Sequence, residues 1–195
     1  MLDTSNFVTP AALKDIAEAT RAINFTMGSD LLTGSLLRTL VATKPAGTIL
    51  ELATGTGLAT AWLLDGMDAH ASLITVDQDE HVTAIAKRFL GSDPRVTFVT
   101  MDGATFIKTM QKEGRTFDLI FADMPPGKFQ LLDETLQLLR VGGIYVVDDL
   151  LPIPKWEPEH APRVARLIAT LEQRGDLHVT KLNWSTGILI AVKKG

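Results

Sequence analysis

The chain has 195 residues, a net charge of −4 and a hydrophobic fraction of 46%, enough for one well-buried domain but small for two. Its basic residues are scattered, which argues against a nucleic-acid ligand, because phosphate binding needs a concentrated basic surface. It contains no cysteine, so disulfides, thiolate metal sites and cysteine nucleophiles are excluded. We therefore expect a single domain, residues 1–195, that acts on a small molecule.

Helices and strands are predicted from apolar periodicity and from the residues that begin and end each run. Two helices come first and form an N-terminal helical segment over residues 1–44; strands and helices then alternate. The predicted helices are 10–22, 30–43, 58–67, 79–90, 102–110 and 131–139, and the predicted strands are 48–52, 73–76, 96–100, 117–122 and 144–147.

The end of the chain has a different pattern. Two strand-like runs, 178–184 and 188–192, are joined by Ser185-Thr186-Gly187, which predicts an antiparallel hairpin. The preceding alternation of strands and helices indicates a parallel sheet with helices on both faces. The predicted fold is therefore α/β and Rossmann-like, with a mostly parallel seven-stranded sheet and a C-terminal antiparallel hairpin.

No segment predicts a membrane location. Residues Met1 to Asn6 lack the basic and apolar regions of a signal peptide. No apolar run approaches the roughly 20 residues that span a bilayer. We expect a cytoplasmic protein without a membrane partner.

The turn after the first predicted strand indicates a nucleotide-like cofactor. The strand ends at Glu51-Leu52, and Ala53-Thr54-Gly55-Thr56-Gly57 then leads into a helix. Glycine lets the backbone approach a ligand closely, and a helix N-terminus directs N–H groups toward it. About 20 residues further on, Asp77 follows the second strand, where dinucleotide folds place the acid that binds ribose hydroxyls.

Two cofactor classes fit this strand–turn–helix unit. A dinucleotide fits less well, because Thr60 stands where its fingerprint has a third glycine or an alanine, and because Glu51 would repel a diphosphate. S-adenosylmethionine has no phosphate and carries a sulfonium and an ammonium, so Glu51 would attract it. The charge of Glu51 therefore favours S-adenosylmethionine.

Acidic residues lie at or just after the C-terminus of every predicted parallel strand. Ligands of parallel α/β sheets bind beyond the carboxyl ends of the strands, so we expect these acids to surround one site. Because Asp is also common in turns and at helix N-caps, a structural role stays open for each of them. The acids are Glu51, Asp77, Asp102, Asp123, Asp148 and Asp149.

Two segments that end at strand tips, residues 117–123 and 141–149, match a known family, as does the glycine turn. The chain resembles the class I S-adenosylmethionine-dependent O-methyltransferases over nearly its full length, in particular the catechol and caffeoyl-CoA enzymes. The resemblance implies a Rossmann-like class I methyltransferase fold and S-adenosylmethionine as cofactor. It also implies O-methylation of a small, catechol-like acceptor, with a divalent cation such as Mg²⁺ that binds both acceptor hydroxyls.

The resemblance also implies roles for individual residues. The implied catalytic residues are Asp123 and Lys128, and the implied metal ligands are Asp123, Asp148 and Asp149. Met27 and Gly34 match the segment that covers the methionine end of the cofactor. The implied cofactor-binding residues are Met27, Glu51, Ala53, Thr54, Gly55, Gly57, Asp77, Gln78, Asp102, Gly103, Ala104 and Asp123.

Three positions depart from the family. Ala53 stands where the family usually has glycine. Pro126 occupies the position at which the family has a lysine that is thought to deprotonate the acceptor. Lys128 could reach the same space, or it could be an exposed loop residue. The metal pair is Asp148-Asp149 in place of Asp-Asn. Oxygen ligands suit Mg²⁺ or Ca²⁺, and without a cation three adjoining carboxylates would repel one another.

Several alternatives stay open on the residues alone. The proline-rich segment 150–162 would form a wall of the acceptor site, and His160 within it could be a general base. Residues 123–126 partly match a D-P-P-Y motif, which leaves an N-methyltransferase open. A catalytically silent S-adenosylmethionine-binding protein is open because the family's lysine is missing. The apolar N-terminal helices could form a homodimer interface.

Overall fold

The computed structural model describes residues 8–153 and 156–195. The expectations for Met1 to Asn6, and the part of the proline-rich segment at Pro154 and Lys155, lie outside the described residues. Two helices, α1 (Leu13–Ala22) and α2 (Leu31–Ala42), come first. Strands and helices then alternate as β1 (Thr48–Leu52), α3 (Leu58–Gly66), β2 (Ser72–Asp77), α4 (Glu80–Leu90), β3 (Val96–Thr100), α5 (Gly103–Lys112), β4 (Phe117–Ala122), α6 (Leu132–Gln137), β5 (Leu139–Val147), α7 (His160–Glu172), β6 (Leu177–Leu182) and β7 (Ile188–Lys193).

Within the described residues, the strands form one seven-stranded sheet in the order β3-β2-β1-β4-β5-β7-β6. Strand β1 pairs in parallel with β2 and β4, and β4 pairs in parallel with β5. Strand β7 lies between β5 and β6 and is antiparallel to both. The predicted mostly parallel sheet and its C-terminal antiparallel hairpin are confirmed.

Helices cover both faces of the sheet because its central strands are apolar on both sides. The neighbouring residues Ile120 and Phe121 of β4 are both fully buried, but they belong to different cores. Ile120 shares its core with residues of α5, α6 and α7, whereas Phe121 shares its core with residues of α1, α2 and α3. This two-sided burial explains why the strands have continuous apolar sequences.

Some boundaries differ from the predicted ones. Strand β5 begins at Leu139 rather than at residue 144, and α6 is correspondingly shorter. Three successive residues near the start of β5, Arg140, Val141 and Gly142, are exposed, and the register with β4 shifts between Phe117 and Leu119. The sequence therefore has no strand-like alternation there. Helix α7 is not among the predicted helices. None of the helices in residues 8–153 and 156–195 has both the length and the apolar character that a membrane crossing needs.

Candidate active site

A cavity of about 440 Å³ lies at the carboxyl ends of β1, β2 and β4. Its volume is within the range of small-molecule sites. The segment before α2 and the start of α5 also contribute to it. The lining residues are Phe25, Met27, Gly28, Ser29, Ala53, Thr54, Gly55, Thr56, Leu58, Ala59, Asp77, Gln78, Asp79, Val82, Asp102, Gly103, Asp123, Met124, Pro125 and Pro126.

Most of the residues predicted to bind a cofactor lie in this lining. Those brought together there are Met27, Ala53, Thr54, Gly55, Asp77, Gln78, Asp102, Gly103 and Asp123. Glu51, Gly57 and Ala104 are described by the structure but do not line the cavity. A role in cofactor binding for these three residues stays a prediction.

The turn between β1 and α3 is fixed by backbone hydrogen bonds. The amide of Ala53 donates to the carbonyl oxygen of Val76 at 3.0 Å, and the amide of Gly55 donates to Oδ2 of Asp77 at 2.9 Å. Ala53 has a φ of 93°, in the left-handed region that favours glycine. This conformation accounts for the glycine that the family resemblance implies at this position. The bond from Gly55 shows that Asp77 shapes the turn as well as facing the cavity.

Two glycines that were expected near the ligand serve helix packing instead. A Cβ on Gly57 would lie 2.7 Å from Cβ of Ala86, so glycine lets the start of α3 approach α4. A Cβ on Gly34 would lie 2.1 Å from Cδ1 of Trp62, so glycine lets α2 approach α3. Neither glycine lines the cavity.

Glu51 is completely buried below the turn. Its Oε2 accepts hydrogen bonds from Oγ1 of Thr60 and Oγ1 of Thr75, each at 2.6 Å. Its Oε1 has no hydrogen-bond partner among the described residues, and burial raises the pKa of the Glu51 carboxyl to about 7. Oγ1 of Thr75 is also 2.6 Å from Oγ1 of Thr54, which lines the cavity. Glu51 thus reaches the cavity only through two hydroxyls, not by the direct contact expected of it.

The lining is acidic. It includes the carboxylates of Asp77, Asp79, Asp102 and Asp123, and none of the described lining residues is Lys, Arg or His. Asp102 also caps α5: its Oδ1 accepts a hydrogen bond from the amide of Thr105 at 2.8 Å, which holds the pKa of Asp102 below its ordinary value. Such a lining attracts a cationic ligand and repels a diphosphate.

The loop after β4 turns Lys128 into the protein. The amide of Phe129 donates to the carbonyl oxygen of Pro125 at 2.8 Å, and the hydroxyl of Tyr145 donates to the carbonyl oxygen of Gly127 at 2.5 Å. Lys128 is only 4% exposed, and its Nζ lies 5.2 Å from the centroid of the Phe129 ring. Lys128 is therefore an inward-facing residue and not an exposed loop lysine.

Asp123 follows β4 at the edge of the cavity. Its amide donates to the carbonyl oxygen of Leu52 at 3.0 Å, and its Oδ1 has no hydrogen-bond partner in the part of the chain that the structure describes. Burial, and then the charge of Asp148, raise the pKa of Asp123 well above its ordinary value, while the positive charge of Lys128 lowers it. Asp123 and Lys128 therefore lie within electrostatic reach of each other.

The three carboxylates implied as metal ligands do not form a cation site in this geometry. Asp148 is 3% exposed, and both of its oxygens already accept hydrogen bonds: Oδ2 accepts from Oγ1 of Thr33 at 3.1 Å, and Oδ1 accepts from Oγ1 of Thr186 at 2.6 Å. No group of three or more His, Asp or Glu side chains in residues 8–153 and 156–195 is arranged to hold a metal ion. The ligand set of Asp123, Asp148 and Asp149 does not fit Mg²⁺.

Aromatic rings lie next to Lys128 on the side of α7. The ring of His160 stacks on Trp156, with centroids 4.5 Å apart, and meets the edge of Phe129 at 5.8 Å. Nε2 of His160 is 2.8 Å from the carbonyl oxygen of Asp149, so this nitrogen carries a proton and donates it. Nε2 is therefore not available as a general base, and His160 contributes a ring to an aromatic wall.

A family model described as "Methyltransferase domain" matches residues 50–150, just over half of the chain. The chain belongs to this methyltransferase family. The matched residues run from β1 to the end of β5, so the match contains the strand tips of the cavity.

Known relatives of this methyltransferase domain agree with that assignment. A relative from Mycobacterium sp. (strain KMS), named "Putative O-methyltransferase", is 32% identical over 139 residues, which are 68% of this chain and 63% of the relative. The chain thus spans less than two thirds of the length of that curated relative.

Solved structures show the fold of the methyltransferase domain. The O-methyltransferase from Bacillus cereus in complex with SAH has a TM-score of 0.82 at 21% identity and covers 94% of this chain and 90% of its own. TomG from Streptomyces achromogenes is an O-methyltransferase involved in tomaymycin synthesis and was solved with SAM. It has a TM-score of 0.82 at 23% identity and covers 95% of this chain and 90% of its own. The fold is the Rossmann-like class I methyltransferase fold.

Some lining residues of the methyltransferase domain were not predicted. Met124 and Pro125 directly follow Asp123 and could have been included on that ground. Phe25 and Ser29 lie in a segment outside the helices and strands, and their position depends on how α2 packs, which no local sequence pattern reveals.

Proposed function

We propose that this protein is an S-adenosylmethionine-dependent O-methyltransferase that acts on a small, catechol-like acceptor. The supporting observation is the acidic cavity, in which no described lining residue is basic. S-adenosylmethionine carries a sulfonium and an ammonium and no phosphate, so this lining suits it, whereas a diphosphate would be repelled. The names of the Mycobacterium relative and of the two solved O-methyltransferases support the same chemistry.

Each part of the cavity has a proposed role in cofactor binding. Asp77, with Gln78 beside it, accepts hydrogen bonds from the ribose hydroxyls. Gly55 allows the backbone to approach the ligand. Asp102 and Gly103 border the adenine, and Met27 covers the methionine end. Glu51 acts indirectly, by accepting from the hydroxyl of Thr75, which contacts the hydroxyl of the cavity-lining Thr54.

The proposed chemistry requires little from the protein beyond placement and proton removal. Bound S-adenosylmethionine supplies a methyl group on a good leaving group. Alignment of the acceptor oxygen and exclusion of water contribute about 7–11 kcal/mol to lowering the barrier. Removal of the hydroxyl proton contributes further, and we assign it to Asp123, whose Oδ1 has no partner among the described residues, acting with Lys128.

Support for an aromatic acceptor comes from the residues beyond Asp123. Phe129, Trp156 and His160 form an aromatic wall next to Lys128. A flat aromatic acceptor would pack against such rings. We assign no step to a metal ion, because no group of three or more His, Asp or Glu side chains in the described part of the chain is arranged to hold one.

A cytoplasmic location and a homodimer formed through the N-terminal helices are further parts of the proposal. Sedimentation of the purified protein at micromolar concentration tests the dimer. A single species of monomer mass across the concentration range would contradict it.

Methyl transfer to a matched panel of acceptors tests the proposed reaction. The panel contains catechol, phenol, aniline and benzylamine, which share one benzene ring and differ in the nucleophile. Each is incubated with S-adenosylmethionine, and the products are identified by mass spectrometry. The expected product is a methyl ether of the catechol with one S-adenosylhomocysteine formed per methyl group. Methylated amines would indicate an N-methyltransferase, and cofactor binding without any product would indicate a catalytically silent protein.

A further inference from the structure

Asp148 joins the start of α2 to the turn between β6 and β7. Its Oδ2 accepts from Oγ1 of Thr33, which is in the first turn of α2, and its Oδ1 accepts from Oγ1 of Thr186, which is in the β6–β7 turn. These bonds span 115 and 38 residues of sequence. The carboxylate therefore cross-links two parts of the fold that are remote along the chain.

Two further contacts tie the same two parts together. Nε1 of Trp184 donates to the carbonyl oxygen of Leu32 at 2.9 Å. Oγ of Ser185 contacts Oδ2 of Asp30, whose other oxygen caps α2 by accepting from the amide of Leu32 at 2.7 Å. The start of α2 is thus clamped to the β6–β7 turn at three points, and we call this set of contacts the α2 clamp.

The α2 clamp directly follows the segment that covers the cavity. Residues 25–29 end at Ser29, next to the capping Asp30, and the cavity-lining residues Phe25 and Gly28 belong to this segment. The segment packs closely on the site: a Cβ on Gly55 would be 3.6 Å from the Phe25 ring, and a Cβ on Gly28 would be 2.7 Å from Cδ1 of Leu58. A shift of the α2 start would therefore open one wall of the cavity.

We propose that Asp148 is a positioning residue that holds residues 25–29 over the bound cofactor, in place of the metal-ligand role implied by the family. The proposal rests on the proposed function for the identity of the cofactor. Three observations support it. The carboxylate is buried, its two oxygens accept from hydroxyls of two different parts of the fold, and the clamp directly follows the segment that covers the cavity. A metal ligand would instead share the cation with other acidic or histidine side chains, and no such group of three is present in residues 8–153 and 156–195.

Asparagine separates positioning from metal binding. In Asp148→Asn, Oδ1 can still accept from Thr186, and Nδ2 can donate to Oγ1 of Thr33, which in turn donates to Asp30. Asparagine therefore preserves the clamp but removes a negative charge, which would weaken the binding of a cation. Asp148→Ala removes both, and Thr186→Val breaks the clamp without touching any carboxylate.

Calorimetric titration of these variants with S-adenosylmethionine, in Mg²⁺ and in EDTA, tests the proposal. Asp148→Ala and Thr186→Val should weaken binding roughly threefold to tenfold, because each loses a hydrogen bond to a charged group. Asp148→Asn should restore most of the affinity that Asp148→Ala loses, and Mg²⁺ should change none of the values. Thr83→Val is the matched control, since Thr83 is buried and its hydroxyl bonds within its own helix.

Hydrogen exchange of the amides in residues 25–33 gives a second readout that needs no ligand. These amides should exchange faster in Thr186→Val than in Thr83→Val. Equal exchange in the two variants would overturn the clamp even if S-adenosylmethionine binds, and faster exchange would support it even if the proposed function fails. Loss of affinity in Asp148→Asn as large as in Asp148→Ala, together with Mg²⁺-dependent binding by the wild type, would show a metal ligand.

Discussion

Gly127 lies so close to Leu52 that a Cβ on Gly127 would be 2.3 Å from Cδ1 of Leu52. Gly127 also has a φ of 90°, which side chains disfavour. Glycine is therefore required at this position on two grounds. The Pro-Pro-Gly turn that it completes directs Lys128 into the protein.

Gly127→Ala should destabilise the protein by about 2–4 kcal/mol, the sum of overpacking against Leu52 and left-handed backbone strain. Urea denaturation measures the change. Gly142→Ala is the matched control, because Gly142 has a φ of 74° but no atom within 4 Å of its Cβ position. Gly142→Ala should be destabilised only by the backbone strain, by roughly 1–2 kcal/mol. Equal losses in the two variants would show that the contact with Leu52 is unimportant.

Ala53→Gly should stabilise the protein. Ala53 adopts a φ of 93°, so glycine relieves the strain of the Cβ, although it also gives the unfolded chain more freedom. The balance is a gain of about 0.5–1 kcal/mol, measurable by thermal unfolding. Ala84→Gly on the exposed face of α4 should change stability with the opposite sign, by roughly 1 kcal/mol. A destabilised Ala53→Gly variant would mean that the turn is not strained.

Glu51→Gln should increase stability most at high pH. Because burial raises the pKa of Glu51 to about 7, the folded state binds this proton more tightly than the unfolded state does. Wild-type stability is therefore lost as the pH rises from about 4.5 to about 7, and glutamine avoids this loss while still accepting from Thr60 and Thr75. At pH 8 the gain should reach about 3 kcal/mol.

Urea denaturation of the Glu51→Gln variant and the wild type at pH 5 and pH 8 measures this difference. Glu18→Gln, on the exposed face of α1, serves as the control and should show the same stability difference at both pH values. A Glu51→Gln gain that does not grow with pH would contradict a protonated, buried Glu51.

Lys128→Met should lower kcat by a factor of about 100 or more, because it removes the positive charge that stabilises the acceptor oxyanion as Asp123 takes its proton, but keeps an apolar stem of similar length. Binding of S-adenosylmethionine should stay within about threefold, since Lys128 does not line the cavity. Lys44→Met removes a half-buried lysine that lies outside the cavity lining and bonds the carbonyl oxygen of Gly142, and it should leave kcat unchanged. Steady-state kinetics with the accepted catechol measures both, and an unchanged kcat in Lys128→Met would exclude it from proton removal.

The fold could be predicted from the sequence because its signals are local. Strands β1 and β4 have the predicted bounds, since buried parallel strands are continuous apolar runs bounded by turn residues. The site was predictable only as far as the strand tips. Which acid faces the cavity depends on partners that are remote in sequence. Thr75 lies opposite Glu51 on the neighbouring strand and donates a hydrogen bond to its buried carboxyl, and Thr186 donates one to Asp148.

Binding of S-adenosylmethionine at the acidic cavity is the central claim, and calorimetric titration of the wild type and Asp77→Ala tests it most directly. Asp93→Ala is the control, because Asp93 pairs with Arg95, outside the cavity lining. We expect saturable binding to the wild type and to Asp93→Ala, no binding of NADH, and binding to Asp77→Ala weakened about tenfold or more by loss of the bonds to the ribose. Binding of NADH without binding of S-adenosylmethionine, or equal affinity in Asp77→Ala and the wild type, would contradict the assignment.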